Sequence, residues 1–68
     1  MKTLEELKQD FYKGVAPIGL FTSVNEHGEN MIIDISKDFL EISTIQSNGW
    51  TRVNIFHKDK TVEEYFER

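Results

Sequence analysis

From residue 18 onward the chain is cut by four short connections, and their lengths decide most of what it can fold into. "NEHGEN" (25–30), "SKDF" (36–39), "SNGW" (47–50) and "HKDKT" (57–61) separate runs in which apolar and polar residues alternate. A parallel crossover needs a dozen or more residues. The five runs, near 18–24, 30–36, 39–46, 50–57 and 61–67, therefore predict an antiparallel β-meander.

Turn chemistry supports each boundary. Gly28 sits where a three-residue hairpin loop wants a left-handed residue, and Lys60 occupies the equivalent place in "HKDKT" at a modest conformational cost. Asn48-Gly49 is the strongest short hairpin signal in the chain and reads as a two-residue turn. Upstream, "TLEELKQDFYKG" carries the marks of an amphipathic helix over about 3–14. Thr3 and Glu6 are spaced as a capping box, and Glu5 and Glu6 suit the positive end of the helix dipole. Leu4, Leu7 and Phe11 form one apolar stripe, extendable to Val15, while Gly14 and Pro17 stop the helix. The expected fold class is α+β, one N-terminal helix packed on a five-stranded antiparallel sheet that can curl toward a half-barrel, in a single domain spanning 1–68.

Loop length sets register, and register sets faces. A three-residue loop at 26–28 puts Phe21 opposite Ile33, and a two-residue turn at 37–38 puts Ile35 opposite Leu40. A two-residue Asn-Gly turn would then pair Ile42 with Ile55 and Thr44 with Val53. On that count one face gathers Phe21, Met31, Ile33, Ile35, Leu40, Ile42, Val53, Ile55 and Tyr65 under the helix. The other gathers Leu20, Ile32, Phe39, Ile45, Trp50, Phe56, Val62 and Phe66, interleaved with Asp34, Glu41, Arg52, Asn54 and Glu64. One helix cannot cover both faces.

Three things could cover the second face: curling into a small barrel, another protein or a second copy of the chain, or single-stranded nucleic acid stacked on aromatics. Trp50, Phe56, Arg52, Asn54 and Phe39 are the expected binding residues, since aromatics mixed with Arg and Asn are typical of interface cores. The net charge of −4, from 12 acidic and 8 basic residues, opposes nucleic acid and anionic membrane surfaces. A narrower protein-binding version has Asp34, Asp38, Glu41, Glu63, Glu64 and Glu67 imitate nucleic-acid phosphate in a basic cleft. The make-up of the chain resembles that of small acidic proteins encoded by bacteria and their phages, many of which act by binding other proteins.

Signals of catalysis are absent. His27 and His57 read as solvated turn histidines, no serine sits in a nucleophile elbow, and no HExxH or P-loop pattern occurs. With no cysteine there is neither a disulfide nor a thiolate metal site. No metal or cofactor is expected, and the chain is read as a non-enzyme. The charged opening "MKTLEELKQD" lacks a signal-peptide core, and no run of about 18 apolar residues occurs, so a cytoplasmic location is expected.

Overall fold

The computed structural model describes residues 3–68. Helix α1 (Leu4–Lys13) precedes five strands: β1 (Gly19–Val24), β2 (Asn30–Ile35), β3 (Phe39–Ile45), β4 (Thr51–His57) and β5 (Val62–Glu67). They form one antiparallel sheet in the order β1-β2-β3-β4-β5. The sheet is open: β1 and β5 are edges and do not close on each other.

The helix is bounded as its sequence dictates. Thr3 accepts from the Glu6 amide at 3.2 Å, and Glu6 Oε1 accepts from the Thr3 amide at 3.0 Å, closing the capping box. At the other end Gly14 takes φ 77°, its amide donates to Phe11 O, and the Val15 amide donates to Asp10 O. This Schellman arrangement satisfies two carbonyls that would otherwise lack partners. Because the helix ends there, Val15 leaves the apolar stripe and is exposed.

Leu4, Leu7 and Phe11 pack on the sheet, with Phe11 only 1% exposed. Phe11 closes a core of Met31, Ile33, Ile35, Leu40 and Ile42, flanked by Phe21 and Phe56. The hairpin that joins β4 to β5 grips the same helix. Lys58 donates to Phe11 O, one of the last carbonyls of α1, and its ammonium lies 4.0 Å from the centre of the Phe11 ring. A cation at a helix C-terminus is favourable on dipole grounds. Lys60 over Tyr12 (5.7 Å) and Lys8 over Phe56 (4.8 Å) add two more cation–aromatic contacts on this side.

Three of the four connections share one geometry. Asn25, Gln46 and His57 each donate to the carbonyl four residues on, and each accepts from the amide three residues on. The last residue of each loop, Gly28, Gly49 or Lys60, has φ of 77°, 90° or 71°. This is a three-residue loop whose last residue is left-handed. Lys60 is the costly version. Replacing it with glycine removes about 1 kcal/mol of left-handed strain and forfeits about 0.5 kcal/mol of contact with Tyr12. Lys60→Gly should therefore raise the urea midpoint slightly; a lower midpoint would mean that the ring contact outweighs the backbone cost.

The third connection corrects the expected register. Asn48-Gly49 is not a two-residue turn but the end of the three-residue loop Ser47-Asn48-Gly49. Ile42 therefore faces Asn54 instead of Ile55, and Thr44 faces Arg52 instead of Val53. A shift of one residue turns a strand over. The β4–β5 pairing keeps Val53 opposite Tyr65, so the two strands turn over together. Val53, Ile55 and Tyr65 leave the helix face, and Arg52, Asn54, Phe56, Val62, Glu64 and Phe66 join it.

Candidate protein-binding surfaces

With the corrected register, the sheet offers two surfaces of different chemistry. The first is the helix-free face. Its ladder rows read Thr22–Ile32–Ser43–Val53–Tyr65 and Leu20–Asp34–Glu41–Ile55–Glu63, flanked by Ile45 and Glu67 at one end and Phe39 and His57 at the other. Leu20 is 71% exposed, Ile32 42% and Ile45 46%. Val53 is only 2% exposed although it stands outside the cluster under the helix. The helix-free face thus has one buried side chain, Val53, with exposed apolar side chains around it.

Carboxylates punctuate that face. Asp34 stands directly opposite Glu41 with no cation between them in the ladder. Glu63 is bound to His57, Oε2 to Nε2, at 2.6 Å. Lost hydration together with the charges of Glu67, Glu41 and Glu63 pushes the Tyr65 phenol above its ordinary range.

The second surface lies on the helix side of β4 and β5, away from the helix contact. Arg52 stands opposite Phe66, and the Arg68 guanidinium lies 5.2 Å from the centre of the Trp50 ring. Trp50 and Phe66 are both exposed there. Asn54 Nδ2 donates to Glu64 Oε2 at 2.8 Å and ties the two strands.

The expected binding residues divide between these surfaces. Arg52, Asn54 and Phe56 alternate along the helix side of β4, with Trp50 just before the strand. Phe56 is partly covered by the core and by Lys8. Phe39 alone lies on the helix-free face, opposite His57. Val53, Ile55 and Tyr65, expected under the helix, instead belong to the helix-free face.

The histidines lie apart. His27 is at the β1–β2 tip, 3.7 Å from Glu26, and His57 borders the β4–β5 loop at the opposite end of the sheet. In that loop Asp59 Oδ1 accepts from the Thr61 hydroxyl at 2.6 Å and from its amide at 3.0 Å. Those bonds hold the Asp59 carboxyl below the usual range. A groove of about 270 Å³ runs between α1 and edge strand β1, lined by Leu4, Leu7, Pro17, Phe21, Thr22, Ser23 and Ile33. Among the described residues, no helix is long and apolar enough to cross a membrane. Comparison with protein-family models, curated proteins and solved structures found no match.

Proposed function

We propose that this is a non-enzymatic protein-binding module, a small regulator or inhibitor that makes contact through the helix-free face of its sheet. The reading rests on one observation: Leu20, Ile32 and Ile45 stand exposed on a face that the only helix among the described residues does not touch. Contiguous apolar surface rimmed by polar groups is characteristic of interaction sites. A cytoplasmic partner suits the absence of cysteine.

Affinity capture from the native host extract tests it. The bait is compared with an Ile32→Asp/Ile45→Asp variant whose circular dichroism matches the parent. Partners held by the parent should be lost from the variant, and an unchanged set would remove the reading.

A second reading, single-stranded nucleic acid, draws on the other surface. Trp50 with Arg68, and Phe66 with Arg52, combine stacking rings and guanidinium groups as base-stacking platforms do. The net charge of −4 and Glu64 beside the patch weigh against it. Oligothymidylate should quench Trp50 fluorescence at low salt if that surface binds nucleic acid, and an unquenched signal discards the reading.

A further inference from the structure

Resting on the reading of the helix-free face as an interface, we infer that its occupant is a cationic amphipathic segment of another protein, one that sets Lys or Arg beside aliphatic side chains.

Charge and apolar surface on this face point to the same kind of occupant. No strand position on this face holds Lys or Arg. The cations of β4 and of the loop after it lie elsewhere: Arg52 is opposite Phe66 on the helix side, and Lys58 and Lys60 cover Phe11 and Tyr12. The helix-free face therefore combines exposed aliphatic groups with Asp34, Glu41, Glu63 and Glu67, and its one potential cation, His57, is engaged by Glu63.

The Asp34–Glu41 pair makes the case specific. Like charges directly opposite each other destabilise a sheet. Leu20 and Ile55 flank the pair in the same row, so the row presents two carboxylates between two aliphatic groups. A segment that lays a Lys or Arg across the pair, with apolar neighbours against Leu20 and Ile55, relieves the repulsion and buries apolar area in one step. A second copy of this chain would bring carboxylates against carboxylates, and a nucleic acid would bring phosphates. Both are disfavoured on this face.

The test uses the intact protein and three synthetic amphipathic peptides of one pattern, Leu/Lys, Leu/Gln and Leu/Glu. Titration calorimetry gives affinities, and amide chemical shifts locate the contact. The Leu/Lys peptide should bind at least about tenfold tighter than the Leu/Gln peptide. Its shifts should centre on Ile32, Ser43, Val53 and Ile55. Glu41→Lys should weaken binding by about tenfold and at the same time raise the urea midpoint, because it turns a like-charge pair into an opposite one. Glu5→Lys on α1 changes the net charge equally, and it should leave the affinity within about twofold because exposed charges beyond a Debye length are screened.

Equal weakening by the two variants would reduce the effect to bulk charge and overturn the inference, as would shifts on the helix side. Equal affinity for Leu/Gln would also overturn it, yet leave the face standing as an interface. Self-association of the parent that the Leu/Lys peptide cannot compete away would identify a second copy as the occupant instead. Failure of the capture experiment would count against the face itself.

Discussion

Phe11→Ala is expected to cost about 4 kcal/mol, in the range for deleting a buried phenylalanine. At ~0.05–0.15 kcal/mol per residue, a chain of this length has only about 3–10 kcal/mol of stability in total. The variant should therefore lose between about two fifths and all of that stability. The size follows from what Phe11 does in one place. It is the only buried residue of α1, it closes the core over Ile33, Ile35, Leu40 and Ile42, and its ring and carbonyl are both held by Lys58. Losing the ring removes apolar burial, opens a cavity and unseats the β4–β5 loop from the helix. Urea unfolding followed by far-UV circular dichroism measures the loss. A penalty under about 1 kcal/mol, the size of an ordinary surface change, would mean that the helix does not depend on this anchor.

The second large effect lies on the other side of the sheet. Val53→Ala should cost about 2 kcal/mol, the value of two buried methyl groups plus incomplete collapse around them. Val53 is buried between Ser43 and Tyr65 on the helix-free face, whereas Ile42 on the neighbouring strand points under the helix. The two side chains therefore share no packing partners. Combining Val53→Ala with Ile42→Val should give a sum additive within about 0.5 kcal/mol, as for independent sites. A coupling above about 1 kcal/mol would return Val53 to the helix core.

Those variants also mark where sequence reading succeeded and where it stopped. The helix ends were legible because capping chemistry is local: Thr3 with Glu6, and Gly14 in a left-handed turn. Strand order was legible because short connections leave no room for a crossover. The face of β4 and β5 was not, because Asn48-Gly49 is a strong two-residue hairpin signal taken alone. A usable sign was present nonetheless. "NEHGE" and "QSNGW" both place glycine fourth in five residues, so the loop at 46–50 follows the same pattern as the loop at 25–29. Reading the two loops as one type would have put Val53 and Tyr65 on the helix-free face and Phe56 beside the core. The candidate site divided for the same reason. Phe39 precedes the slipped turn and kept its expected face, whereas Arg52, Asn54 and Phe56 follow it and changed sides.

The excess of apolar surface is real, but its location differs from the expected one. The closing segment does not supply an aromatic patch on the far face. It supplies Val53, Ile55 and Tyr65 there, and leaves Trp50 and Phe66 with two arginines on the near side. Charge is distributed unevenly as well: Arg52 and Arg68 lie on the near side with Glu64, and Asp34, Glu41, Glu63 and Glu67 on the far one.

The most direct test of the helix-free face compares the isoleucine methyl groups of the monomer in the presence of a soluble paramagnetic agent. Ile32 and Ile33 are adjacent in sequence but on opposite faces, and Ile42 and the outward Ile45, three residues apart on β3, also face opposite ways. The methyl signals of Ile32 and Ile45 should broaden strongly while those of Ile33, Ile35 and Ile42 stay sharp. Equal protection of Ile32 and Ile33 would show the helix-free face already sealed, and no surface would remain there for a partner to occupy.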